Sequence, residues 1–343
     1  MVAEKIQIDR KIGIDILKGI SAILIVLLHF PFTGMIGKSI SVVARIAVPI
    51  FFMCSGYFLK KEDECSWRVI RRKVLHILKI TIFAVILYIG YTIYREGIGY
   101  VLSELNPANA LKVFIFNAPQ ISSFHLWFLI SLIYSYILYY IICRFKLVRF
   151  KLWIAVGGIA VNLLVREVLY ALGIDILPQF VRNAYFFGLP FFIAGTIIRD
   201  SKDYLNNATL GKCYAIAAAG LLLSGFENHF LCAYTLEVSL GTIIYSVSTF
   251  VIALQYKGKD IFKLAYLGRK CSLYMYIIHI IVGTMTFKVL VTQTSEMWIG
   301  TCVTLVITIL ISLILSFIEN IFASREEKKK DDINRYSYIS TRR

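Results

Sequence analysis

The chain is a succession of apolar stretches, each about as long as a helix that crosses a membrane. Crossing the hydrocarbon core of a bilayer takes about 20 apolar residues in helical conformation. Of the 343 residues, 58% are hydrophobic and 17% are charged, which excludes an ordinary soluble enzyme. The sequence predicts an all-α, polytopic integral membrane protein with about ten transmembrane helices, at 12–31, 40–59, 74–94, 124–143, 152–172, 183–198, 213–231, 238–256, 271–291 and 298–322.

Lysine and arginine are distributed unevenly among the connections, and this predicts the orientation. With the N-terminus in the cytoplasm, 28 of the 37 basic residues fall in cytoplasmic segments and four fall in outer loops. Cytoplasmic loops of membrane proteins carry an excess of Lys and Arg. Both termini are therefore predicted to be cytoplasmic, and the net charge of +16 needs no nucleic-acid partner.

Outside the apolar stretches the sequence predicts no further folded domain. Residues 1–322 are predicted to form one transmembrane domain, and 323–343 a basic, disordered cytoplasmic tail that lies on anionic lipid. The seven cysteines contain no CxxC pair and no histidine at ligand spacing, so no metal site is predicted. The oligomeric state stays open, with a homo-oligomer as one option. The longest outer connection, 95–123, is expected to help select a substrate.

Ionisable side chains inside membrane helices are costly, so each is a functional candidate until a partner explains it. Lys18 and His29 lie eleven residues apart, which puts them on one helix face and about 16 Å apart along the axis. A lone membrane histidine more often packs than catalyses, and Arg166 could instead form a structural ion pair with Glu167 or Glu227. Most of the other costly residues fall near predicted outer ends: Arg45, His125, Arg166, Glu167, Arg182, Asn183 and Glu227.

Histidine is suited to deprotonate a hydroxyl group, because an imidazole accepts and returns protons near neutral pH. His29 is therefore the candidate general base, and Glu227 or Glu167 is the candidate carboxylate that orients its ring. Arg45 or Arg182 could stabilise an oxyanion during acyl transfer. His279 is predicted to line the same cavity. The sequence contains no GxSxG motif, so a covalent serine route is not indicated.

Four segments carry a resemblance to one known family. They are Lys18 with His29 after ten intervening residues, Arg45 through Phe58, His125-Leu-Trp127-Phe-Leu, and Ser272 through His279 with Tyr276 between them. In this order they resemble the motifs of the membrane-bound acyltransferase family 3 over nearly the whole chain. The segments around Asp15, Arg182-Asn183 and Pro190 also resemble the membrane half of vancomycin-resistance serine racemases.

The family resemblance implies an O-acyltransferase of the cell membrane. Its donor would be cytoplasmic acetyl-CoA or another acyl-CoA, and its acceptor a hydroxyl of an extracytoplasmic saccharide or lipid-linked molecule. On these positions His29 would be the essential base, and Lys18 or Arg45 would help to hold the donor. Lys18 replaces the usual arginine, which keeps the charge but loses bidentate phosphate recognition. The candidate binding residues are Lys18, Arg45, His125, Trp127, Arg166, Arg182, Asn183 and His279.

Two other interpretations compete with the acyltransferase. One is a transporter-like domain for a small polar solute such as serine, since buried charges also line transport pathways. The other is a scaffold or sensor whose polar groups are only structural. No pyridoxal-dependent racemase domain follows in this sequence, so racemisation itself is not expected. The absence of an obvious inverted repeat, which many carriers possess, favours the enzyme.

Overall fold

The computed structural model describes residues 11–119, 124–174, 178–206, 209–230, 238–294 and 297–340. For 166–171, 178, 206, 291–294, 323 and 325–340 it describes the backbone alone. Within these residues the fold is all α, without a strand. The helices are α1 Ile12–His29, α2 Gly34–Ala44, α3 Ala47–Tyr57, α4 Trp67–Glu96, α5 Ile98–Glu104, α6 Pro107–Phe116, α7 Trp127–Arg144, α8 Lys151–Ala171, α9 Leu189–Asp200, α10 Lys202–Asn206, α11 Leu210–Phe230, α12 Leu240–Gln255, α13 Leu264–Tyr266, α14 Ser272–Thr294 and α15 Met297–Ser340.

Each of the ten predicted stretches overlaps a helix, which confirms the all-α membrane architecture. Among the described residues, seven helical segments are both long and apolar enough to cross a bilayer. They are Ile12–His29, Gly34–Tyr57, Trp67–Glu96, Phe124–Arg144, Leu147–Val165, Leu264–Leu290 and Met297–Phe322. The count of ten and the side of each terminus stay predictions, and "inner" and "outer" below follow the predicted orientation.

Helix α1 lies at the centre of the domain and packs against α2, α3, α12, α14 and α15. It also crosses α13 and the π-helix Leu267–Cys271, which leads directly into α14. At this crossing a Cβ on Gly268 would overlap the carbonyl oxygen of Asp15, and a Cβ on Gly19 would overlap that of Leu264. Only glycine permits the two backbones to approach this closely. The crossing fixes the height of α14 relative to α1.

Charged side chains tie α8, α9 and the connection between α3 and α4 together at the predicted inner face. Arg199, at the end of α9, contacts Glu64 and the carbonyl oxygen of Leu59, and its Nη2 lies 2.7 Å from Asp200. Lys151, at the start of α8, pairs with Asp200 as well. Burial alone would raise the pKa of Asp200, but hydrogen bonds from Lys151 and Arg199 outweigh it and hold that pKa below its ordinary value.

Helix α15 is longer than a membrane span and continues to Ser340. The helical backbone of residues 323–340 differs from the disorder that the sequence predicts for 323–343. The sequence there places Glu326 and Glu327 three or four residues before lysines, a spacing that stabilises helices. That local charge pattern supports the helix beyond the last apolar turn.

Candidate functional site

Two predicted site residues, His29 and His279, meet because α1 and α14 run in the same direction from their glycine crossing. His29 follows Gly19 by ten residues and His279 follows Gly268 by eleven, so both rise roughly 15–16 Å above the crossing. Their imidazole centroids lie 5.0 Å apart. The sequence predicted both residues at this site; the crossing explains why they are neighbours.

A third imidazole completes what we call the histidine cluster: His29, His125 and His279. His125 lies in the 3-10 turn Phe124–Leu126 that opens α7. Its ring centroid is 5.0 Å from that of His279 and 6.3 Å from that of His29. His125 and His279 are buried, with 4% and 0% of their surface exposed, whereas His29 is exposed. His29 is therefore the most accessible of the three histidines.

Hydrogen bonds define the protonation pattern of His279. Its Nδ1 lies 3.1 Å from the carbonyl oxygen of Met275 and 2.8 Å from that of Tyr276. Carbonyl oxygens only accept, so Nδ1 carries the hydrogen and Nε2 offers a lone pair. This Nε2 is buried and has no hydrogen-bond partner among the described residues. The cluster thus contains an imidazole acceptor that is oriented by its own helix and is not otherwise used.

Two tyrosines hold the cluster in place. The hydroxyl of Tyr276 donates to the backbone carbonyl of His125, and that of Tyr88 donates to the carbonyl of Ile277 at 2.7 Å. The Tyr88 ring lies 4.9 Å from the His125 ring. Sequence reasoning does not single out Tyr88. Its partners come from distant segments, so nothing local in the sequence points to it.

A cavity of about 390 Å³ lies below the cluster, between α1, α3, α4, α7 and α14. Three basic side chains face it: Lys18 from α1, and Lys73 and His76 from the first three turns of α4. Toward the cluster its walls are apolar. The lining residues are Lys18, Phe51, Cys54, Ser55, Phe58, Lys73, His76, Ile77, Ile80, Phe128, Leu129, Leu132, Tyr136, Ser272, Leu273 and Tyr276.

The cavity reaches the histidine cluster at Tyr276. The ring of Tyr276 lines the cavity and lies 5.3 Å from His125 and 6.2 Å from His279. Lys73 points toward the same space, with its Nζ 5.8 Å from the ring centroid of Tyr136. From the sequence, Lys73 is one of several charges in a basic loop and His76 a snorkelling residue, so only Lys18 of these three is predicted at the site. The cavity therefore extends from a basic inner end to Tyr276, which is a neighbour of two of the imidazoles.

Two other candidates, Asn183 and Glu227, interact with the starts of helices. The side-chain oxygen of Asn183 accepts the amides of Tyr185 and Phe186 at the π-helix Ala184–Gly188. The carboxylate of Glu227 accepts the amides of Leu240 and Gly241 at 3.1 and 2.9 Å, in the first turn of α12. Both contacts satisfy backbone donors that a helix start leaves free. They give these residues a structural role, and a catalytic role for Glu227 stays a prediction.

The remaining predicted residues lie at the following places. Trp127 packs in the core against Phe52 and Phe187, with centroids 6.2 and 5.3 Å away. Arg45 is buried at the junction of α2 and α3, and Arg182 is half-buried directly before Asn183. The side chains of Arg166 and Glu167 lie outside the described residues. Within the described part of the chain, no group of three or more acidic, histidine or cysteine side chains is arranged to hold a metal ion.

Comparisons with known proteins find relatives among amino-acid racemases. Two amino-acid racemases of Enterococcus faecalis are each 30% identical to the chain, over 222 residues (60% of this chain, 30% of the relative) and over 156 residues (43% and 21%). A serine/alanine racemase of Enterococcus gallinarum is 24% identical over 240 residues, or 63% of this chain and 33% of that protein. The chain thus matches a third or less of the length of each relative. No solved structure matches the chain.

The family comparison covers the helices that build the site. The model of an acyltransferase domain, Acyl_transf_3, matches residues 11–317. This range includes the histidine cluster, the cavity and every helix from α1 to α14. The chain belongs to the Acyl_transf_3 family of acyltransferase domains.

Proposed function

We propose that this membrane acyltransferase moves an acyl group from cytoplasmic acyl-CoA, with acetyl-CoA as the expected donor, to a hydroxyl of an extracytoplasmic saccharide or lipid-linked acceptor. The cell membrane is the proposed location, with both termini inside. The observation that carries the proposal is the cavity that leads from Lys18, Lys73 and His76 to Tyr276 beneath the histidine cluster. It would admit the donor at its basic end and bring the acyl group to Tyr276.

The shape and charge of the cavity suit a coenzyme A thioester. Its phosphates are anionic and would be attracted to Lys18 and Lys73, which face the inner end. Beyond them the pantetheine arm is long and thin, and it would pass between the apolar side chains of α4 and α7. The thioester would then lie near Tyr276, beneath the histidine cluster.

His29 is the proposed general base because it is the exposed imidazole of the cluster. It would remove the proton of the acceptor hydroxyl as that oxygen attacks the thioester carbonyl. The new carbon–oxygen bond replaces the carbon–sulfur bond, and the proton returns from the imidazolium to the departing thiolate. His279 lies 5.0 Å from His29 with a free lone pair, and it is suited to orient the ring that carries this proton.

Label transfer from radiolabelled acetyl-CoA in membranes that contain the protein tests this function. We expect label to appear on wall or lipid material, and His29→Ala to reduce it at least about 100-fold, the range of a lost general base. His229→Ala is the matched control, because His229 is an exposed histidine at the end of α11. Full activity of His29→Ala would refute the mechanism. Accumulation of unmodified serine in vesicles, without label transfer, would support the transport alternative instead.

A further inference from the structure

A second, larger cavity lies on the predicted outer side and takes no part in the mechanism above. Its volume is about 560 Å³, within the range of ligand pockets. The outer half of α4 and the first turn of α7 form one wall, and α5, α6 and the turn between them form the other. The lining residues are Val85, Ile89, Glu104, Leu105, Asn106, Pro107, Asn109, Ala110, Val113, Pro119 and Ile130. We call it the outer cavity.

The polar side chains of the outer cavity bind one another or nearby backbone. Asn109 donates from Nδ2 to the Glu104 carboxylate at 2.7 Å and to the Glu104 carbonyl at 3.0 Å. Asn106 accepts the amide of Asn109 at 2.9 Å and donates to the carbonyl of Ser103 at 3.1 Å. The rest of the wall is aliphatic. Such a surface offers little to a sugar or to water, and it suits a hydrocarbon chain.

The surroundings of the outer cavity indicate which hydrocarbon can reach it. Leu102 on α5 and Leu111 and Phe114 on α6 are 61%, 58% and 67% exposed, so these short helices present apolar side chains outward. Helices of this kind lie in the membrane interface. Lys112 donates to the Asn109 side chain at 3.0 Å, which fixes a cation beside the wall. Lys112 is the cation that would attract the phosphate of a lipid headgroup, while the nearby Glu104 carboxylate is held by Asn109.

The outer cavity also adjoins the histidine cluster. Tyr88, which packs against His125, lies on α4 between the two lining residues Val85 and Ile89. On α7, Ile130 lines the outer cavity while its neighbour Leu129 lines the inner one. Both cavities therefore share the helices α4 and α7, on which their lining residues are near neighbours in the sequence. A lipid held here would lie beside the segment of α4 that carries Tyr88, the neighbour of His125.

We propose that the outer cavity binds the hydrocarbon chain of a lipid-linked acceptor whose headgroup carries a phosphate. As far as it concerns the acceptor, this inference rests on the proposed function. It gives residues 95–119 a specific role, in which the helices α5 and α6 hold the acceptor's chain while the attached hydroxyl group meets the acyl donor. Bulk phospholipid is the alternative occupant.

Photocrosslinking of the full chain in lipid nanodiscs tests the proposal. The probes are a diazirine-tagged polyprenyl phosphate, a single-chain carrier lipid, and a diazirine-tagged phosphatidylglycerol, with labelled peptides located by mass spectrometry. We expect the polyprenyl probe to label peptides that contain Val85, Ala110 or Ile130. Ala110→Trp should reduce this labelling at least tenfold by filling the cavity. Ala218→Trp, at an exposed alanine on α11, should leave it unchanged.

Three outcomes would overturn the proposal: no labelling of these peptides, equal labelling by both probes, or labelling that Ala110→Trp does not reduce. Val113→Phe serves as a second filling variant should Ala110→Trp fail to fold. The readout is binding, so it does not depend on the reaction. If wild-type protein transfers no acyl group yet binds the polyprenyl probe, the proposed function fails while the lipid site stands. If transfer occurs without the crosslink, the lipid site fails alone.

Discussion

The imidazoles of His29 and His279 lie 5.0 Å apart, although one belongs to the first of the described helices and the other to the last but one. The Nδ1 of His279 is bound to backbone carbonyls, so its free Nε2 is the group that can accept from a neighbour. Carboxylates usually orient a catalytic histidine. Here the described contacts of Glu227 are with the start of α12, and a second imidazole lies beside His29 instead.

Replacing His279 with Gln tests its role as a positioning residue. Because His279 would orient His29 without contacting the donor, we expect kcat to fall with the KM for acetyl-CoA unchanged. The expected loss is about 10- to 100-fold, the range found for groups that orient metal-bound histidines. Kinetics of acetyl transfer by purified protein measure this, with His229→Gln as the control. A changed KM at constant kcat would instead place His279 in the donor site.

Replacing Lys18 with Ala should weaken donor binding. Loss of one favourable charge at the inner end of the cavity should raise the KM for acetyl-CoA about tenfold, equivalent to about 1.4 kcal/mol. Lys18→Arg should retain donor binding, because it keeps the charge and adds bidentate geometry. Lys79→Ala is the matched control, since Lys79 is an exposed lysine on α4 that does not line the described cavity. Equal effects of Lys18→Ala and Lys79→Ala would argue against the donor site.

Replacing Gly268 with Ala should destabilise the domain at its central crossing. The added methyl group would overlap the backbone of Asp15, and overpacking of this kind costs about 1–3 kcal/mol. Thermal unfolding of the detergent-solubilised protein measures the loss. Gly90→Ala in α4 is the control, because a Cβ there meets nothing within 4 Å and should be neutral or stabilising. An unchanged melting temperature for Gly268→Ala would contradict the close crossing.

The inner-face cluster around Asp200 predicts a pH dependence of stability. The pKa of Asp200 is lowered by Lys151 and Arg199, so its contribution is present above the ordinary carboxyl pKa and is lost as pH falls through the lowered one. Asp200→Asn should cost about 1 kcal/mol at neutral pH, because the site is partly exposed. Melting temperatures of the two proteins should converge in acid. A constant difference across the pH range would rule out the ionised pair as the cause.

The fold could be predicted further from the sequence than the site could. The apolar stretches predicted the helices, and the spacing of Lys18 and His29 on one helix face needs only helical geometry. Which imidazoles surround His29 depends on the Gly19–Gly268 crossing, a tertiary contact that leaves no periodic signal. The sequence predicts Asn183 and Glu227 as functional because they are polar and lie near the outer ends of predicted membrane spans. Asn183 instead caps the helix that follows it, and asparagine is a residue type with a known preference for that position. Glu227 binds backbone amides at the start of α12, and this contact depends on how α11 and α12 pack, which has no sequence signature.

The sidedness of the reaction tests the central claim most directly. In sealed vesicles whose cytoplasmic face points outward, radiolabelled acetyl-CoA is added outside and the product is then exposed to a membrane-impermeant esterase. If the donor enters from the cytoplasm and the acceptor meets His29 on the other side, the labelled product should resist the esterase until the vesicles are opened. Product that the esterase removes from intact vesicles would contradict transfer across the membrane.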